Sequence, residues 1–195
     1  MSKKEGRIKL VFVTSNEHKI KEAMEILGKW NIQLEGSHAT KIEVQDDCIE
    51  RISRYAAIQA YNEIKKPLIV EDSGLFIKAL NGFPGPYSSY VQRKIGNDGI
   101  VKLMKNISDR RAYFKASLTC ICGQYVKTFN GIVHGSISEE PRGREGFGFD
   151  PIFIPEGYDR TMAELGDRIK NTISHRYRAF TQLAEWVSRQ KPLKP

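Results

Sequence analysis

The chain has little cysteine: Cys48, Cys120 and Cys122 are the only three in 195 residues. An odd count with no C-x-x-C pair excludes a disulfide framework and a paired-cysteine zinc site. Reduced thiols are the norm in the cytosol, so a cytoplasmic protein is expected. Long apolar runs are also missing. No stretch approaches the roughly 20 residues of a membrane span. The first apolar run, residues 10–13, is too short for a signal-peptide core. The pattern G-x-x-x-x-G-K-[ST] does not occur, so the chain has no P-loop. Repeats and low-complexity segments are absent.

What is present is globular in composition, with 40% hydrophobic and 28% charged residues. That excludes disordered and fibrous classes. At about 150 residues per domain, the length predicts one large domain over 1–195 or two lobes sharing one core. Such a chain buries a core without covalent staples. Basic residues outnumber acidic ones by 31 to 23, a net charge of +8 that favours anionic partners.

Residues 8–14 (IKLVFVT) are apolar and rich in β-branched and aromatic types, which predicts a buried strand. A helical stripe follows over 16–30, with Ile20, Ala23, Met24 and Leu27 inward and Ser15 or Asn16 as cap. A short strand is expected at 40–44 and a helix at 46–65, with Ile49, Ile52 and Ala56 inward. Residues 68–70 read as a third strand that ends in Glu71-Asp72-Ser73-Gly74. A rigid loop covers 81–86 and a short helix 97–107. Alternation from Ala112 to Cys120, a turn at Gly123 and a partner over 125–137 predict a long hairpin. After a Gly/Arg-rich loop at 141–149 come a strand at 151–154 and a final helix over 174–189, capped by Ser174. Strand–helix units followed by a hairpin predict an α/β fold with a mixed sheet.

Four constellations carry chemistry. The turn Thr14-Ser15-Asn16 joins a strand to a helix start, where free N–H groups and the dipole suit phosphate; Lys19 lies one turn on. It also reads as an ordinary N-cap with a solvated lysine. Glu71 and Asp72 sit at a strand's carboxyl end, where ligands gather in open α/β sheets. They suit a hard cation such as Mg²⁺, with Glu43 as a third carboxylate, or proton transfer from water. They equally suit a strand leaving the core into a polar turn. Phe147-Gly148-Phe149-Asp150 offers a stacking wall for a base, or plain loop packing. Lys170 and Ser174-His175-Arg176 cluster donors at a helix start within a C-terminal segment of seven basic and two acidic residues. They suit a polyphosphate or a base carbonyl, or form a solvated basic helix.

The stretches VFVTSNEHKIKEA (from Val11), IVEDSGLFIKALNGFPGPYSSYV (from Ile69), FGFDPIFIPEGY (from Phe147) and SHRYRA (from Ser174) run in order along the chain. In them the sequence resembles the inosine triphosphate pyrophosphatase family. The resemblance implies Mg²⁺-dependent cleavage of non-standard purine nucleoside triphosphates (ITP, dITP, XTP) to monophosphate and pyrophosphate. It implies phosphate contacts at Thr14, Asn16, Lys19 and Lys170, substrate binding at Ser73, and metal ligation by Glu43 and Asp72. Asp72 would be the general base, with Glu71 beside it. Phe147 would stack on the purine, Phe149 and Asp150 would complete that pocket, and Ser174, His175 and Arg176 would address the 6-oxo group. The implied fold is elongated and two-lobed around a long mixed sheet flanked by helices, with the active cleft between lobes. A homodimer is implied too; no nucleic-acid or membrane partner is expected.

Two departures stand out. Many family members carry a basic residue two positions after the tyrosine of GPY, where this chain has Ser89. Some carry a lysine in the second helix, near Arg54 and Tyr55 of this chain. A lighter triphosphate clamp is expected, or compensation by Arg54 or Arg93. The rival from another class is a basic nucleic-acid-binding module, favoured by the charge and by Tyr87, Tyr90 and Phe147. Against it, Glu43, Glu71 and Asp72 would repel a phosphate backbone, and no DNA- or RNA-binding motif is visible. The same fold acting on a different modified nucleotide is a further alternative.

Overall fold

The apolar run at the start forms strand β1 (Ile8–Val13). Its alternate residues serve two cores: Leu10 and Phe12 face one way, Val11 and Val13 the other. The computed structural model describes residues 8–37 and 44–189. Helix α1 (Glu17–Leu27) begins where the Asn16 side chain accepts a hydrogen bond from the Lys19 N–H at 3.2 Å. Its buried stripe is Glu22, Ala23, Ile26 and Leu27; Met24, expected inward, is 47% exposed.

Strand β2 (Ile32–Ser37) follows, then α2 (Ile49–Ile64), with Ile49, Ile52 and Ala56 inward as expected. The expected strand at 40–44 lies outside the described residues, except for Val44. Strand β3 (Leu68–Ile77) runs parallel to β1, as β2 does. Helix α1 packs on the Leu10–Phe12 face, while α2 packs on the face of Val11, Val13, Leu68 and Val70. The sheet order therefore reverses at β1, and a crevice opens beyond its carboxyl end.

The sequence predicts that β3 stops at Val70. In the structure it continues to Ile77, because residues 68–77 pair in register with 112–121 of strand β5 (Arg111–Cys122). The polar run Glu71-Asp72-Ser73-Gly74 is thus strand, not turn. Successive strand side chains point to opposite faces, so Glu71 and Asp72 separate across the sheet.

A short strand β4 (Pro84–Gly85) crosses β3 closely: a Cβ on Gly74 would meet the Gly85 carbonyl oxygen at 2.1 Å, so only glycine fits there. Helix α3 (Ser88–Leu103) begins earlier than the expected 97–107 and breaks at Gly96, whose φ of 63° suits glycine. Strand β6 (Tyr125–Ile137) completes the hairpin with β5. Strand β7 (Phe153–Pro155) follows a 3-10 turn at Asp150–Ile152, slightly later than the expected 151–154. Helices α4 (Met162–Ile173) and α5 (His175–Arg189) close the chain.

Among the described residues the mixed sheet has seven strands, in the order β2-β1-β3-β5-β6-β7, with β4 on β3. Its two parallel pairings lie at the β2-β1-β3 end, and its other pairings are antiparallel. Helices α1 and α5 cover one face at that end; Leu75, Phe114, Val133 and Phe153 anchor a separate core toward β7. No described helix is long and apolar enough to cross a membrane.

Candidate active site

A cavity of about 910 Å³ opens at the carboxyl end of β1. Thr14, Asn16, His18 and Lys19 come from the turn and first helical turn after β1. Asp72, Ser73 and Gly74 come from β3, at the level where β1 has ended and no longer covers its edge. Ser88, Ser89, Gln92 and Arg93 come from α3, residues 147–150 from the loop before β7, and Phe114, His175 and Arg176 from β5 and α5.

Each contributor is fixed locally. The Thr14 hydroxyl accepts a hydrogen bond from the Asn16 N–H at 3.2 Å, tightening the turn. Ser88 ties α3 to β3: its hydroxyl donates to the Gly85 carbonyl (2.7 Å) and accepts from the Leu75 N–H (2.8 Å). Gln92 and Asn97 donate their side-chain amides to the Gly148 carbonyl at 3.1 and 3.2 Å, holding the aromatic loop against α3. The Ser174 hydroxyl accepts from the Tyr177 N–H at 3.1 Å and so starts α5 as expected.

Behind the lining runs a chain of charges. Lys19 meets Glu71 at 2.7 Å; Glu71 meets Arg176 at 3.2 Å; Arg176 meets Glu22 at 2.9 Å; Glu22 meets Lys170 at 2.8 Å; Lys170 meets Asp150 at 2.5 Å. Arg176 also donates to the Ser73 hydroxyl, and the Phe147 N–H donates to Asp150. Except for Lys19, every member is at most 5% exposed. Burial alone would raise the Glu71 and Glu22 carboxyls. The Arg176 charge, with Lys19 on Glu71 and Lys170 on Glu22, outweighs it and holds both below the usual carboxylate range. Burial likewise opposes the charge on Arg176, but Glu71 and Glu22 raise its pKa.

His175 is 4% exposed and stacks on Phe114, with centroids 4.8 Å apart and planes at 13°. Burial, then the charge of Arg176, pushes its pKa well below 6.5, so the ring is neutral at neutral pH. A neutral imidazole has one donor and one acceptor nitrogen. Phe147 is half-buried: His18 stacks on it at 5.0 Å, and Lys170 and Arg176 lie 4.4 and 5.1 Å from its ring centre.

The cavity thus gathers Thr14, Asn16, Lys19, Asp72, Ser73, Phe147, Phe149, Asp150, His175 and Arg176 of the expected residues. Glu71, Lys170 and Ser174 lie one layer behind it, Glu71 and Lys170 locked in ion pairs. Glu43 lies outside the described residues. Arg93 reaches the cavity; Arg54 is exposed on α2 and does not line it. Sequence reasoning missed Glu22, which joins Lys170 to Arg176. The available signal was a carboxylate beside Ala23 on the inward face of α1, a position that demands a buried cation. His18, Gln92 and Phe114 carried no signal.

These features define a class: an open-sheet α/β protein whose crevice opens where the strand order reverses. The chain belongs to the Ham1 family, whose pattern matches residues 10–186. A relative from Saccharolobus solfataricus, named dITP/XTP pyrophosphatase, is 53% identical over 180 residues, covering 92% of this chain and 94% of its own. One of the same name from Hyperthermus butylicus is 47% identical over 96% of this chain and 98% of its own. The solved HAM1 protein from Coxiella burnetii superposes with a TM-score of 0.85 at 29% identity, covering 94% of this chain and all of the other.

Proposed function

We propose that this protein hydrolyses the non-standard purine nucleoside triphosphates dITP, ITP and XTP to the monophosphate and pyrophosphate. The observation that carries the reading is convergence: Lys19, Asp72, Phe147 and Arg176, from four distant segments, line one cavity. The names of the relatives, dITP/XTP pyrophosphatase, support the same reaction.

In this reading the Thr14–Lys19 turn receives phosphate on backbone N–H groups and the helix dipole. Asp72, at the strand edge, accepts the proton of the attacking water. Phe147 stacks on the purine once His18 yields its place, and Phe149 and Asp150 shape the pocket around it. Ser73 is held by Arg176 beside the phosphates. Neutral His175 and the Arg176 guanidinium donate toward the 6-oxo group. Adenine presents an amino group there and leaves buried donors unpaired. Glu71, Lys170 and Ser174 act as positioning residues: the first two hold Lys19, Arg176 and Asp150 in place, and Ser174 fixes the start of α5.

The donor set fits Mg²⁺. Among the described residues no three His, Cys, Asp or Glu side chains gather as a protein-only metal site. Mg²⁺ is ordinarily held by one or two carboxylates together with substrate phosphates, and Asp72 supplies a carboxylate in the cavity. Asp72 with Glu43 would hold it. Held there, it would supply positive charge against that developing on the leaving pyrophosphate. The homodimer, the cytoplasmic location and the absence of a nucleic-acid partner belong to the same proposal; light scattering and a gel shift across a salt series test the first and last.

The decisive experiment measures pyrophosphate release from dITP, ITP, XTP, ATP and GTP, with and without chelator. Fast release from the first three, chelator-sensitive, is expected. Asp72→Asn should lower kcat for dITP by roughly 10²–10⁴-fold with KM within a few-fold. Near wild-type turnover in that variant would refute the base assignment.

A further inference from the structure

The cations around the cavity differ in one respect. Lys19 is paired with Glu71, Arg176 with Glu22 and Glu71, and Lys170 behind them with Glu22 and Asp150. Their charges are matched before any ligand arrives. Arg93 lines the same cavity from α3, is exposed, and meets no carboxylate within ion-pair distance among the described residues. Its guanidinium donates instead to the neutral hydroxyl of Ser89 at 2.7 Å, one helical turn back. The helix beneath it is fixed at Ser88 and Gln92, so Arg93 projects from a rigid base.

A polyanion entering this cavity meets paired cations in the chain behind it and, among the described residues, one cation on α3 without a carboxylate partner. A guanidinium presents a planar fork of donors that matches phosphate oxygens and stays charged at any working pH. We infer that Arg93 anchors the phosphate chain of the substrate, with the Ser89 hydroxyl holding its guanidinium at the cavity. The inference rests on the nucleotide reading above and adds a residue to it.

The test uses the full-length enzyme and four forms: wild type, Arg93→Ala, Arg93→Lys, and Arg93→Ala combined with Ser89→Lys. Arg93→Ala should raise KM for dITP about tenfold and weaken inhibition by inorganic triphosphate by a similar factor, the size of one charged hydrogen bond. Its kcat should change less than about threefold, and inhibition by deoxyinosine, which has no phosphate, should not move. Arg93→Lys should fall between, and Ser89→Lys in the alanine background should recover most of the KM. Arg93→Ala values of KM and triphosphate inhibition within twofold of wild type, in a protein of unchanged melting temperature, would overturn the inference. Calorimetry with inorganic triphosphate alone separates this from failure of the nucleotide reading. Binding to wild type that weakens about tenfold in Arg93→Ala supports the anchor even if dITP is not a substrate; equal binding to both removes it.

Discussion

The two sides of the cavity treat charge in opposite ways. Behind it, Lys19, Glu71, Arg176, Glu22, Lys170 and Asp150 alternate in sign and are almost all sealed from water. At the mouth, His18 and Arg93 are exposed, and Arg93 has only a hydroxyl partner among the described residues. In the buried chain each charge depends on its neighbours, because removing one leaves another desolvated and unpaired. At the mouth, water screens each group and little stability is at stake. The buried side therefore fixes shape, and the exposed side remains available to a ligand.

The largest effect should come from breaking the buried side. Arg176→Met leaves Glu22 and Glu71 facing each other's charge without the guanidinium between them. A loss of about 3–5 kcal/mol is expected, read as a melting temperature lower by on the order of 10 °C. A drop no larger than that of a surface variant would show that the chain is not an energetic unit.

A smaller, pH-dependent effect belongs to His175. Its folded pKa is depressed from 6.5, so below that pH the unfolded chain takes up a proton that the native ring refuses. Its contribution is complete above pH 6.5 and declines as pH falls. Glu22 and Glu71, depressed from 4.5, add a second loss only below about that value. The wild-type melting temperature should fall between pH 7 and 5, and His175→Gln should flatten that slope. Parallel slopes would mean that the ring is not held neutral.

The smallest effect is at the mouth. His18→Ala should change stability by less than about 0.5 kcal/mol. It should lower KM for dITP by about two- to threefold, because the purine no longer displaces a stacked ring. A raised KM would instead make His18 part of the bound state.

Much of this arrangement is legible in the sequence, and the exceptions have physical causes. Helices α2 and α5 announce themselves by an apolar stripe, strand β1 by a continuous apolar run buried on both faces, and the β5–β6 hairpin by alternation around its glycine turn. Strand β3 does not, since Glu71, Asp72 and Ser73 look like a turn until β5 supplies hydrogen-bond partners ten residues long. The first half of α3 hides because little more than Ser88 and Val91 face inward there. The short strand β2 and helix α4 gave no reading at all. Within the site, motif order locates the cavity residues, but no local pattern separates Glu71, tied to two cations, from Asp72, which lines the cavity. Glu22 shows only as a carboxylate on the inward face of α1; its partners, Lys170 and Arg176, lie near the other end of the chain.

The division of Glu71 from Asp72 is a matter of odd and even positions along one pleated strand. Inserting or deleting a single residue between Leu68 and Glu71 would swap their faces, turning outward the carboxylate that steadies the arginine and burying the one that lines the cavity. Substitutions elsewhere in this strand, except at Gly74, can be absorbed by repacking, but a frame change of one cannot. Lineages of this protein should accept altered side chains here far more readily than altered length.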